Sequence, residues 1–150
     1  MNAFPDTSFL CALYRPQDNS PVAQKYYAAM TEPLAVSGLL LYEFRQSLRF
    51  QAWLHGQNPK KGIPAREVEK ALADLESNLT SGAVLTVAAE WADVHRIAER
   101  LSSTYTDASG HRAMDILHVA TALHLEALEF LTFDANQRKL AVAEGLKVKP

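Results

Sequence analysis

"RAMDILHVATALHLEALEFLTFDANQ", residues 112–137, holds the unit that decides the fold. Ile116, Leu117, Val119, Ala120 and Leu123 make the apolar face of a helix. Glu129–Phe133 is a short run with strand character, and Ala135–Ala143 reads as a second helix. The same alternation extends outward through the chain. Residues 2–5 form a short apolar run that stops at Asp6, and Thr7–Tyr14 makes one or two helical turns. Pro21–Met30 is a helix with Ser20 as cap and Pro21 at its first position. Leu34–Ser37 is a buried strand, Leu39–Leu54 a longer helix, and residues 55–63 a loop rich in Gly, Asn and Pro. Next come a helix from Pro64 to Leu79, a strand over Ala83–Val87 and a helix over Ala88–Ser103. TYTDASGHR (104–112) is a loop. Leu146–Val148 is the last strand, with Gly145 where a helix C-terminal glycine belongs. Strands alternating with helices predict an α/β fold: a central parallel sheet flanked by helices on both faces.

The bulk numbers narrow the function. A chain of 150 residues predicts one domain over 1–150, burying roughly 70% of its unfolded surface without help from a disulfide or structural metal. Cys11 is the sole cysteine, so a disulfide framework and a cysteine zinc site are both excluded within one chain. This fits a reducing, cytoplasmic setting. No apolar run is long enough to span a bilayer, and the N-terminus lacks the basic flank of a secretory signal. A net charge of −2 does not advertise nucleic-acid binding, so any such site is local.

In parallel α/β sheets, ligands bind beyond the carboxyl ends of the strands. Four acids fall there. Asp6 directly follows the first strand. Glu43 lies one turn into the helix after the second. Asp115 opens the 112–123 helix, and Asp134 directly follows the fourth strand. Each also has a plain reading: Asp6, Asp115 and Asp134 as helix N-caps, Glu43 as a surface residue. Their coincidence at one edge favours chemistry. Clustered carboxylates repel unless a cation sits among them. Oxygen-only ligands select hard cations such as Mg²⁺ or Mn²⁺, which suit phosphoryl chemistry.

"DTSFL" near the start, "YEFRQSL" in the middle, "DILHVATAL" late and then "LTFDANQ" resemble, in order and spacing, the PIN-domain ribonucleases. The chain is most similar to the VapC-type toxins of bacterial toxin–antitoxin pairs, over nearly its whole length. The resemblance implies an α/β/α domain whose acidic site is Asp6, Glu43, Asp115 and Asp134, with Thr7, Ser8 and Thr132 as supporting hydroxyls. It implies an Mg²⁺- or Mn²⁺-dependent endoribonuclease that cleaves RNA by metal-activated water. It also implies a homodimer and a cognate antitoxin protein that blocks the groove. The alternatives are a non-catalytic PIN-like module that binds RNA or protein, and a DNA nuclease of the same chemistry. Pro5, before Asp6, is less usual for the family. Proline is disfavoured inside a central strand, so it marks the strand end or shifts Asp6.

RNA needs positive charge near these acids. Residues 45–66 hold Arg45, Arg49, Lys60, Lys61 and Arg66 and no Asp or Glu. Arg45 and Arg49 share a helix face. Arg112 precedes Asp115. Trp53 could stack on a base, or, with Tyr26, Tyr27 and Phe50, belong to the core or to a protein interface. The five histidines show no HxxxH pair, and His118 reads as a packed helix residue rather than a general base. There is no Walker A motif, GxGxxG or GxSxG. Cys11 reads as a small buried hydrophobe. Ser8 stands where a haloacid-dehalogenase-type phosphatase would need a second Asp.

Overall fold

Two Asp side chains start helices in this protein, and both lie where a strand hands over to a helix. In a computed structural model describing all 150 residues, β1 (Ala3–Pro5) leads to α1 (Thr7–Tyr14) through Asp6. The Asp6 side chain accepts from Phe9 N–H, so Asp6 is the N-cap. Asp134 does the same between β4 (Glu129–Leu131) and α7 (Ala135–Ala143), accepting from the N–H groups of Asn136 and Gln137. Between these two handovers lie α2 (Ser20–Ala28), β2 (Leu34–Ser37), α3 (Gly38–Gln57), α4 (Ala65–Ser81), β3 (Val84–Val87), α5 (Trp91–Ser109) and α6 (Ala113–His124). β5 (Lys147–Lys149) ends the chain.

All strand pairs are parallel. β4 lies between β1 and β5, and β2 pairs with β3. β1 runs beside β2, giving the order β3-β2-β1-β4-β5, but no ladder of hydrogen bonds joins β1 to β2. Pro5 contributes to the gap. Asp6 N–H donates to Leu131 O at 2.9 Å, and Asn2 O accepts from Glu129 N–H at 2.9 Å. Even-numbered residues of β1 therefore turn their backbone groups to β4, and odd-numbered ones turn theirs towards β2. Pro5 falls on the β2 side and has no N–H to offer. It ends the strand, as the sequence suggests, and Asp6 remains tied to β4.

Helices α1 to α4 pack among themselves on one side of the sheet, and α5, α6 and α7 pack successively with one another. Phe4, Phe9, Phe44, Phe130, Leu34, Leu48 and Leu101 are fully buried between the layers. Each such side chain contributes roughly 1.5–3 kcal/mol through burial. α4 and α5 carry one-sided stripes, Val68/Ala71/Leu75 and Val94/Leu101. α6 is buried nearly all round, including Asp115 and His118. No helix is long and apolar enough to cross a membrane.

The element boundaries differ from the sequence reading in informative places. Residues 104–109, expected in a loop, continue α5 until Gly110 ends it at φ 64°. α3 likewise runs on to Gln57. Ser20 is the first residue of α2 rather than its cap; its hydroxyl donates to Arg15 O and accepts from Gln17 N–H. β4 stops at Leu131, so Thr132 and Phe133 lie between the strand and Asp134. Asp115 is not an N-cap. Arg112 holds that position, and Asp115 is the third residue of α6. Its carboxylate is thus free of the capping role and pairs with side chains instead.

Candidate active site

The carboxyl ends of β1, β2 and β4 share one edge. The four acids stand on the segments that leave these strands or on the helix packed beside them. Asp6 is fully buried. One of its oxygens accepts from Ser8 Oγ at 2.7 Å and Phe9 N–H at 2.9 Å; the other accepts from Thr132 Oγ1 at 2.5 Å. Burial pushes its carboxyl above the usual range, against the hydrogen bonds from Thr132, Ser8 and Phe9 and the nearby His118. Ser8 and Thr132 donate to Asp6, and Thr7 donates to Glu43.

A continuous chain of hydrogen bonds joins three of the acids. Thr132 Oγ1, which donates to Asp6, accepts from Asp134 N–H at 2.9 Å. Asp134 Oδ1 accepts from Gln137 N–H at 2.8 Å. The Gln137 side-chain amide then donates to Asp115 Oδ1 at 3.2 Å. Asp115 Oδ2 accepts from Arg112 Nε at 3.1 Å. The Arg112 guanidinium is held above its ordinary value by this bond and the charge of Asp115, outweighing a small effect of burial, with further help from Asp134 and Glu43. Asp115 is the acid that contacts Arg112 at the mouth of the edge.

Glu43, in the second turn of α3, is anchored by Thr7 Oγ1 and His118 Nε2, both on the same oxygen. Burial alone would raise its carboxyl. The hydrogen bonds from His118 and Thr7 outweigh that and hold it below the ordinary range.

No three His, Cys, Asp or Glu side chains stand close enough together to hold a metal ion. The sequence places four carboxylates at one edge; the structure links Asp6, Asp134 and Asp115 in one network, holds Glu43 separately through Thr7 and His118, and forms no ready-made cage. Each carboxylate takes its own donors, because unscreened like charges separate. The donor set nonetheless fits a hard cation: carboxylate oxygens from four elements, with Asp134 Oδ2 and Glu43 Oε1 accepting no hydrogen bond.

Arg45 is tied to Glu76 of α4 at 2.5 Å, whereas Arg49 is in no salt bridge. Trp53 is 56% exposed and stacks on Phe50, so both lie outside the core; Tyr26 and Tyr27 are half-buried against it. Cys11 is half-buried, and burial pushes its thiol up. A hollow of about 580 Å³ lies at the opposite end of the strands, by Asn2, Tyr26 and Glu129. Among the groups that line it, Tyr26 and Lys147 both donate to Glu129.

Gln137 is the residue that sequence reasoning missed. It stands three after the capping Asp134, the spacing of a capping box, and that spacing is the signal that could have found it. Its side chain turns to Asp115 instead of back to the cap. His118 reads as packing in the sequence; it is buried, but it also bonds Glu43.

The family model for the PIN domain matches residues 3–143. The chain belongs to the PIN-domain family. Solved structures similar to this PIN domain agree in fold. VapC20 of Mycobacterium tuberculosis, a toxin that cleaves the sarcin–ricin loop, is 19% identical with a TM-score of 0.67, covering 99% of this chain and 100% of that one. FitAcB from Neisseria gonorrhoeae is 20% identical with a TM-score of 0.65, covering 99% and 96%. VapBC2 from Rickettsia felis, bound to a DNA fragment from its promoter, is 12% identical with a TM-score of 0.69, covering 99% and 98%. No curated protein sequence matches significantly.

Proposed function

We propose that this PIN domain is an Mg²⁺- or Mn²⁺-dependent endoribonuclease and the toxin of a VapC-type toxin–antitoxin pair. The observation that carries the reading is the hydrogen-bond network that joins the buried Asp6 to Asp134 and Asp115 at one edge of the sheet, with Arg112 on Asp115. Asp6, Glu43, Asp115 and Asp134 would hold the ion. When bound, it supplies an acidified water and neutralises charge at the scissile phosphate. The chain's own residues do the rest. Thr132 and Ser8 orient Asp6, Gln137 orients Asp115, and Thr7 and His118 orient Glu43. Arg112 and Arg49 are the cations proposed to meet the RNA backbone. Arg45, engaged with Glu76, ranks behind them.

The structural neighbours that are VapBC and FitAB assemblies support a cognate antitoxin protein as partner. A homodimer belongs to the same proposal; Tyr42, Phe50 and Trp53 leave large apolar surface exposed along α3. The second reading, a non-catalytic PIN-like module that binds RNA or protein, is favoured by the lack of three convergent metal ligands.

Cleavage of RNA in Mn²⁺ by the wild-type chain, Asp6→Ala and Asp115→Asn separates the two. Each variant is expected to lose at least about a hundredfold in rate, about 2.7 kcal/mol of transition-state stabilisation, while keeping its circular dichroism. Undiminished cleavage in both variants sinks the site assignment. RNA binding without cleavage by the wild type would establish the non-catalytic reading.

A further inference from the structure

Among the histidines, His118 is singular. It is 1% exposed, in the middle of a buried helix, yet its ring meets the site through one atom only. Nε2 bonds Glu43 Oε2, and Nδ1 is buried with no partner. A carboxylate accepts and cannot donate, so Nε2 carries a proton, an assignment drawn from the network. Burying an imidazole with one unpaired nitrogen costs free energy that an apolar residue would not. Packing alone does not explain the choice of residue.

What the residue does is visible at the other end of the bond. Thr7 Oγ1 donates to the same oxygen of Glu43 as His118 does. Two donors, from α1 and α6, converge on Oε2, and Oε1 accepts nothing. The Glu43 side chain is 28% exposed while His118 is enclosed. The clamp is thus on the protein side of a carboxylate that reaches solvent. Asp115 and His118 are three apart on α6, hence on one face. One rigid helix therefore presents one acid of the edge and fixes a second that belongs to another helix.

We propose that His118 is a positioning residue: with Thr7 it pins one oxygen of Glu43 and leaves the other directed to a divalent cation. This rests on the metal-site reading above and deepens it. His118 touches neither cation nor RNA. It acts through Glu43, in the manner of donors that orient metal ligands.

The test uses two substitutions that split the ring's atoms. A Gln amide nitrogen falls near the position of Nε2, and an Asn amide nitrogen near that of Nδ1. His118→Gln keeps the donor to Glu43; His118→Asn withdraws it at similar polarity. Mn²⁺ alone is the probe, with free Mn²⁺ counted by electron paramagnetic resonance. His118→Asn is expected to weaken binding about 10- to 100-fold, and His118→Gln to restore it to within a few-fold of wild type. Equal affinities in all three proteins, or equal losses in both variants, would overturn the proposal in favour of simple packing. A second readout needs no metal. The ring ¹⁵N shifts of His118, recorded in a chelator, should move on Glu43→Gln; unmoved shifts would also overturn it. Wild-type protein that binds no Mn²⁺ while these shifts do move would overturn the proposal through the metal-site reading it rests on, with the clamp itself intact.

Discussion

Asp6 is a carboxylate in a place that disfavours charge. It is wholly buried, and burial outweighs its three donors and raises its carboxyl. The ionised form is therefore penalised in the fold. That penalty is complete above the folded value and relieved as pH falls through it. It is gone below the ordinary carboxyl value of about 3.9. Asp6→Asn removes the ionisation and keeps an oxygen for Phe9 N–H. In a chelator at pH 7 it should raise Tm, with the gain shrinking in acid. RNA cleavage should be lost. A lower Tm at pH 7, or a gain unchanged in acid, contradicts this account. Asp6 could be picked out in the sequence by its place after a strand. Its energetic state could not, because its enclosure includes Thr132, 126 residues further along the chain, which only the folded core brings to it.

At the scale of elements, α3 and the loop after it depend on one glycine. Ile63 N–H donates to Gln51 O at 3.2 Å, folding residues 58–63 back along the helix. Gly62 makes that return at φ 62°, and a Cβ there would sit 2.1 Å from Gln51 O and 2.8 Å from His55 N. Both are backbone atoms, so relief requires the loop to move. Gly62→Ala is expected to cost about 2–3 kcal/mol, roughly 5 °C or more in thermal denaturation. An unchanged Tm would show that the loop shifts without cost. The loop carries Lys60 and Lys61, so the glycine also sets where that charge lies. The sequence marks 55–63 as a turn region through Gly, Asn and Pro. It does not show that helix α3 runs to Gln57, or that the chain doubles back onto it, because those bonds are made to residues one and two turns earlier. The extension of α5 through residues 104–109 has a similar cause: Thr104 and Tyr105 are poor guides by propensity, while Tyr105 packs on the core and its hydroxyl donates to Glu144 at the end of α7.

For the whole molecule, one donor is missing where β1 runs beside β2. Pro5 is buried and faces the β2 side without an N–H. Pro5→Val adds a donor there and a residue suited to a central strand. The new amide at position 5 should exchange slowly with deuterium, and Tm should rise by a few degrees, the worth of about one hydrogen bond of roughly 1 kcal/mol. Rapid exchange at position 5 would mean that β2 lies too far away to pair, and that the gap has another cause. Because Asp6 is tied to β4 rather than β2, the carboxylate should keep its place in the variant, and Mn²⁺ binding should be unchanged.

The sequence by itself determined the alternation of strands and helices, and with it a parallel sheet and the edge at which Asp6, Glu43 and Asp134 must emerge. Local periodicity and the direction of parallel strands suffice for that. The family likeness was legible in four short motifs in order. Only the tertiary structure decided what each acid touches. Asp115 exchanged an expected capping role for Arg112 and Gln137, and Glu43 gained His118 from a helix 75 residues further along the chain. Such partners are chosen by which helices meet across the sheet, and that choice comes from burial summed over the whole core.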